Sequence, residues 1–402
     1  MSDSSILLIS SDKDVTETVG SALDTIERAR ISREDASVSQ LNGTAVKMAA
    51  NHDVVIFATD PSNAADLSAI EVLTDQRKPG TTYLALADGD LPLSKARALS
   101  RAGVDDVLPY PISNEELIEL VNGWIEKKRS DIAESYSSGG GKKGRLIAVQ
   151  QARGGIGATT VAVNLADQLL DRHGTFKKEA ANRVVIVDLD LQFGTVGDFL
   201  DIEKQEGLLQ LSSENILPDA MWVEQSITRL PSGLAVLAAP SSFVPIDAMQ
   251  PEQADALVKT LRTMFDYVVV DLPRALVPWI EPVLSEVDQL MIVTDMSVPA
   301  IRATRRLMEF VLADNAQLPI EVVINHEKKP MLLKEHHKEA AKALDVKFNY
   351  WIAHDPKAAR EAVDYGKPIA EVAGRSDIAK AIASLAKATL TALPKDGAEV
   401  RV

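Results

Sequence analysis

Apolar positions along the chain alternate between short β-branched runs and longer stripes at helical spacing, and this alternation occurs in two successive series. The first series has strand-like runs at 6–9, 54–57 and 83–87, with helices expected over 14–29 and 114–127. Ser113 or Asn114 followed by Glu115 and Glu116 is a helix start, because acids complement the positive end of the helix dipole. The second series opens with the run 146–149, turns at Gly154, Gly155 and Gly157, and continues as a stripe of Val161, Leu165 and Leu169. Further buried-type strands follow at 183–188, 265–271, 290–294 and 320–325. Short apolar strands separated by amphipathic helices predict two doubly wound α/β domains built on parallel sheets. Between the series, 135–144 reads Ser-Tyr-Ser-Ser-Gly-Gly-Gly-Lys-Lys-Gly, a composition expected of a flexible tether. The expected organisation is a first domain over 1–130, a linker over 131–144 and a second domain over 145–402.

Composition narrows the chemistry. A net charge of −15 argues against sequence-independent binding to DNA or anionic lipid, both of which depend on clustered Lys and Arg, so no direct DNA binding is expected. The absence of cysteine removes disulfides, thiolate nucleophiles and cysteine-ligated metal sites. No segment approaches 18 uninterrupted apolar residues and the first residues have no basic, apolar leader pattern, so a cytoplasmic protein is expected.

The candidate chemistry sits where the second series begins. Glycines let backbone N–H groups approach an anion, and the helix that follows points its positive end at the same place. The backbone of Gly154, Gly155, Ile156, Gly157, Ala158, Thr159 and Thr160 is therefore a candidate phosphate cradle, with Thr159 where a magnesium-binding hydroxyl belongs. The common motif has lysine at the position of Ala158. Downstream, Asp188 and Asp190 stand two apart at the end of an apolar strand, and alternation places both on one side of the chain. Asp271 ends the next such strand, at the carboxyl edge where parallel sheets collect ligands.

The run from Arg153 to Thr160 resembles the deviant Walker A motif of the MinD/ParA ATPase superfamily, with Arg153 where that family has its signature lysine. The resemblance covers most of the chain from 145 onward. It implies ATP and Mg2+ as cofactors, with Thr159, Asp188 and Asp271 about the metal, Asp190 orienting the attacking water if the protein is active, and Asn325 reading adenine. His326 follows Asn325 where the family commonly has arginine. Loss of the ordinary lysine resembles the CpaE/TadZ branch, the pilus-assembly members.

The first series, and 102–112 above all, resembles a response-regulator receiver. Matched position by position, the acidic pair falls on Ser10 and Ser11, the phosphoacceptor on Ala58, the hydroxyl on Leu86 and the lysine on Tyr110. Asp60 is the alternative acceptor if the loop shifts by two residues. The expectation is a pseudo-receiver that serves docking or dimerisation. Near the end of the chain, Ile378, Ile382, Leu385 and Leu393 line one face of a helix, read as core packing with peripheral membrane contact as the alternative. The six histidines, His336 and His337 included, show no metal spacing and are read as surface residues. By resemblance the function is spatial: a homodimer formed through the nucleotide face that positions the tad (Flp) pilus secretion machinery at the inner face of the membrane at a cell pole. The alternative is a working ParA-type ATPase that partitions DNA or other cargo.

Overall fold

A computed structural model of the chain describes residues 4–26, 29–41, 44–49, 52–77, 81–137, 143–173, 179–202, 206–214 and 216–395. The chain divides into two compact units, Met1–Ser135 with Asp219–Gln225, and Tyr136–Pro218 with Ser226–Val402.

In the first unit the strands are β1 (Ser4–Ile9), β2 (Ala29–Glu34), β3 (Val54–Ala58), β4 (Thr82–Asp88) and β5 (Asp106–Tyr110). They form a parallel sheet in the order β2-β1-β3-β4-β5, the flavodoxin-like doubly wound order. Helices cover both faces: Ile6, Leu8, Ile56 and Leu84 enter one core, and Leu7, Ile9, Val55 and Phe57 the other. Burial on both faces is why these strands read as continuous apolar runs. The expected helix over 14–29 is shorter, Lys13–Leu23, because Ala29 already begins β2. That strand carries Arg30, Ser32 and Arg33 and forms the edge of the sheet, held by its parallel ladder to β1. The second expected helix is longer and runs over Asn114–Ser137, so 131–137 is helical where a linker was expected. Residues 138–142 of that expected linker lie outside the described residues. Gly144 is tightly held: its N–H donates to the Arg262 carbonyl at 2.7 Å, and a Cβ there would come within 1.9 Å of the Phe265 carbonyl oxygen.

The second unit contains β6 (Arg145–Gln151), a small pair β7 (Arg172–His173) and β8 (Glu179–Ala180), β9 (Val184–Asp188), β10 (Thr228–Arg229), β11 (Ala235–Leu237), β12 (Tyr267–Asp271), β13 (Gln289–Thr294), β14 (Ile320–Ile324) and β15 (Tyr350–Trp351). Among the described residues the main sheet has the order β10-β11-β9-β12-β6-β13-β14-β15, parallel except for the β10–β11 pair. β6 is therefore central, flanked by the strands that end in Asp271 and Thr294. Register brings Asp271 beside Asp188 on one side and beside Val149 on the other, so two strand-end carboxylates are neighbours.

The helix Ala158–Leu169 that follows β6 lies on this sheet, with Val161, Leu165 and Leu169 fully buried as their spacing predicts. The terminal helix Asp377–Ala392 packs against it through Ile378, Ile382 and Leu385, all in the same core as Ile186 and Val269. Burying such side chains stabilises by about 1.5–3 kcal/mol each, so this apolar face is committed to the core. No helix among the described residues is long and apolar enough to cross a membrane.

Candidate functional site

The strand β6 leads into a loop whose geometry only glycine accepts without strain. Gly155 and Gly157 have φ of 70° and 84°, and Gly157 caps the helix Ala158–Leu169. A Cβ on Gly157 would also lie 2.6 Å from Asn325 Nδ2, whereas a Cβ on Gly154 or Gly155 would meet open space within 4 Å. The loop is closed from behind by the Asn325 amide, which donates to the Ile156 carbonyl at 2.7 Å and accepts from the His326 N–H at 2.9 Å. Asn325 is buried, and its contact with the Ile156 carbonyl holds the backbone of the glycine loop. It does not line the cavity described next.

A cavity of ≈ 830 Å3 opens above the carboxyl ends of β6, β9 and β12. It brings together Gly154, Gly155, Gly157, Ala158, Thr159 and Thr160 from the loop and helix with the acids Asp190 and Asp271. Its size is within the range of small-molecule sites. The Thr159 hydroxyl donates to Asp271 Oδ2 at 2.6 Å, so the two oxygens expected about a magnesium ion already touch. Burial pushes the Asp271 carboxyl up to about 7, with the Thr159 hydroxyl pulling it down and the charge of Asp190 pushing it up. The residues fit a nucleotide phosphate with Mg2+: an open glycine cradle, a helix N-terminus and two adjacent hard oxygen donors.

Asp188 departs from the expected arrangement. It is completely buried and does not line the cavity; its carboxylate accepts from the Asp190 N–H at 3.1 Å and the Val196 N–H at 2.9 Å. β9 ends at Asp188 and the chain turns, so alternation does not carry through to Asp190. Asp190 instead faces the cavity, while its own carboxylate accepts from the Phe193 N–H at 3.1 Å. A Cβ on Gly194 would sit 2.5 Å from Asp188 Oδ2, so glycine is required for the loop to close over this acid. Burial, and then the charge of Asp271, drive the Asp188 carboxyl well above the usual carboxylate range. Asp188 thus lies outside the cavity lining, beneath the turn that carries Asp190, with its carboxylate held by two backbone N–H groups.

Arg153 is close to the loop but turned away from the cavity. Its guanidinium binds Asp295, with Nε at 3.1 Å from Oδ2, and it donates to the Gly154 carbonyl at 3.3 Å. Burial raises Asp295, but the Ser297 hydroxyl and N–H together with Arg153 outweigh it and hold this carboxyl below its ordinary value. The cavity also draws on residues that the sequence patterns did not single out, notably Gln151, Phe193, Ile246 and Arg274. Phe193 and Ile246 come from loops with no periodicity. Arg274 has a weak signal, a cation three residues after a strand-end acid.

Two further placements bear on the expectations. In the first unit, Ser10, Ser11, Ala58, Asp60, Leu86 and Tyr110 line a cavity of ≈ 340 Å3 at the carboxyl ends of β1, β3, β4 and β5, together with the acids Asp12, Asp66 and Asp88. Asp60 is exposed and accepts from the Ser62 N–H at 2.8 Å. In the second unit, His337 is buried rather than a surface residue. Its Nδ1 accepts from the Lys334 N–H at 3.2 Å and its Nε2 lies 2.9 Å from Glu327 Oε1, with His336 adjacent. Donor atoms of Glu327, His336 and His337 lie within 4.8 Å of one another, a grouping that sequence spacing did not reveal.

Residues 144–321 match the family described as an AAA domain. Among curated proteins, the chain is 24% identical over 191 residues to the septum site-determining protein MinD of Synechocystis, spanning 47% of this chain and 66% of that protein. It is 22% identical to MinD of Bacillus subtilis, over 56% of this chain and 82% of that protein. It is 30% identical to the chromosome partitioning protein ParA of Myxococcus xanthus, over 33% of this chain and 46% of that protein. Among solved structures, a ParA family ATPase from Chlorobium tepidum has the same fold with a TM-score of 0.53 at 24% identity, covering 61% of this chain and 98% of that chain. MinD in the MinC:MinD complex of Aquifex aeolicus matches with a TM-score of 0.50 at 20% identity, covering 61% of this chain and 95% of that chain. The chain thus spans just under two thirds of the Synechocystis relative and less than half of the Myxococcus one. The AAA domain match and these MinD and ParA relatives support the MinD/ParA superfamily for the part of the chain over residues 144–321.

Proposed function

We propose that this chain is a nucleotide-binding localisation protein of the CpaE/TadZ kind, in which ATP promotes a homodimer through the nucleotide face and the dimer positions tad (Flp) pilus secretion components at a cell pole. The observation that carries this reading is a preformed glycine cradle facing the Thr159–Asp271 pair, with Ala158 in the place of the ordinary cation. Bound Mg2+ would neutralise charge on the β and γ oxygens. Backbone N–H groups from Gly155 to Thr160 and the helix dipole would contribute to holding the anion, and Thr159 and Asp271 would hold the metal. Asp190 would orient a water. Without a lysine at 158, stabilisation of the charge that develops during phosphoryl transfer is reduced, so nucleotide serves assembly more than turnover.

In the same reading the first unit is a pseudo-receiver. Its topology supports this, as do Ser10, Ser11, Ala58, Leu86 and Tyr110 at the matched positions of a cavity whose acids, Asp12, Asp60, Asp66 and Asp88, stand at other positions. Arg153 retains a cation that can bind phosphate oxygens through a planar fork of donors, once released from Asp295. The domain division at 131–144 and recruitment to the inner face of the membrane belong to this proposal.

The test is sedimentation velocity of the full chain with Mg2+ and ATP, ADP or neither, paired with steady-state phosphate release. A dimer with ATP alone and turnover well below ~1 s⁻¹, the low end of typical enzymes, is the expected result. Turnover at or above that rate would favour the partitioning ATPase instead, and a sedimentation profile indifferent to ATP would overturn the assembly role.

A further inference from the structure

The cavity poses a charge problem. Its described lining contains the acids Asp190 and Asp271, with Asp188 buried beneath, and a triphosphate would bring more negative charge to the same place. Ala158 supplies no cation. Arg153 is paired with Asp295 and lies outside the lining. Among the described residues that line the cavity, Arg274 is the only cationic side chain.

Arg274 is also the one built to answer that charge. It is exposed, and among the described residues it makes no hydrogen bond, ion pair or ring contact, in contrast to Arg153 and to the buried Arg262, which is bound by Glu286 and Asp288. Its backbone is fixed nonetheless. The preceding Leu272 N–H donates to the Val149 carbonyl at 3.0 Å, and the Pro273 carbonyl accepts from the Gln150 side chain at 2.7 Å. Both anchors come from β6, the strand that delivers the glycine loop, so the base of Arg274 is set in register with the cradle across the cavity. A held backbone with an unpaired guanidinium is the arrangement expected of a ligand-binding arginine, since little order has to be gained except in the side chain itself.

Building on the nucleotide-binding reading above, we propose that Arg274 is the phosphate-binding cation of this site, contacting the terminal phosphates of a nucleoside triphosphate from the loop after β12 in place of the cation missing at 158. The guanidinium fork matches two phosphate oxygens at once, which a lysine at 158 would not do. The charge and the cradle would then come from the loops after two neighbouring strands, β12 and β6.

The experiment is isothermal titration of the full chain with ATP and with ADP in the presence of Mg2+, for the unaltered protein, Arg274→Ala, Arg274→Lys and Arg274→Ala combined with Ala158→Lys. ATP affinity should fall at least tenfold in Arg274→Ala and more than ADP affinity does. It should fall by about threefold or less in Arg274→Lys, and recover when lysine is placed at 158, in line with the strength of charge-assisted hydrogen bonds. Thermal unfolding without nucleotide should be unchanged, since among the described residues this exposed side chain makes no hydrogen bond, ion pair or ring contact. ATP affinity of Arg274→Ala within twofold of the unaltered protein overturns the assignment while leaving nucleotide binding intact. Unchanged affinity with loss of the ATP-dependent dimer also overturns it, and would put Arg274 on the nucleotide of a second copy. If the unaltered protein binds neither nucleotide, the underlying site reading fails and takes this one with it.

Discussion

The two units place a cavity at the same topological position, above the carboxyl ends of a doubly wound parallel sheet, yet they differ in what the cavity contains. In the first unit the lining has Ser10, Ala58, Leu86 and Tyr110 at the matched positions, with Asp12, Asp66 and Asp88 beside them and Asp60 engaged with the Ser62 backbone, and no glycine loop among its described residues. In the second unit it has a glycine cradle, Thr159, Asp190 and Asp271. The core of each sheet is equally apolar and buried. The difference teaches that a fold conserves the location of a site through its strand order, whereas the chemistry there depends on a few side chains that packing does not constrain.

The largest effect that would test this contrast is at Gly157. Gly157→Val forces a branched side chain into a positive-φ position and toward the Asn325 amide, so ATP affinity should fall by more than about 100-fold with the rest of the sheet intact. Fluorescent-nucleotide titration alongside circular dichroism checks this. Retained affinity would mean that the loop is not the cradle.

Next comes Arg153→Ala, which should remove the ATP-dependent dimer in light scattering while reducing ATP affinity by about threefold or less, because in the monomer this side chain faces Asp295. A dimer that survives the change would separate assembly from this residue.

A smaller effect concerns stability. The Asp271 carboxyl is raised from an ordinary value near 3.8 to about 7, so the folded protein holds this proton more tightly than the unfolded chain does. The penalty is absent below the unfolded value, grows as pH rises toward about 7 and is complete above it. Asp271→Asn should therefore raise the melting temperature of the metal-free protein by a few °C at pH 8 and by less at pH 5, on a scale of ~2–4 °C per kcal/mol. Equal shifts at both pH values would contradict the buried, proton-retaining carboxyl. The smallest expected change is none: small-molecule phosphodonors should leave the intact mass of the first unit unaltered, and an adduct at Asp60 would restore to that cavity the chemistry it is said to lack.

Much of this was legible in the sequence, for physical reasons that also explain the failures. The strands β9, β12 and β13 are buried along their whole length in a sheet covered on both faces, and such apolar runs announce themselves. The edge strand β2 does not, since Ala29–Glu34 is half exposed and owes its conformation to pairing with β1. Alternation puts Asp188 and Asp190 on one side of the chain only while the strand continues, and the strand stops at Asp188. The burial of His337 depends on Glu327, ten positions away across a loop, and no local pattern carries that information. Arg274 belongs to the same class: its importance lies in which side chains around it are already paired.

The hydrogen bond from Asn325 to the Ile156 carbonyl has a kinetic consequence. By holding the glycine loop in its binding shape before any ligand arrives, it shifts the ordering cost of that segment from association to folding. On the proposed nucleotide-binding reading, capture would have no slow closure of this loop in front of it, and encounter would be limited by diffusion and by the charge around the cavity mouth. Discrimination between nucleotides is left to how long each one stays.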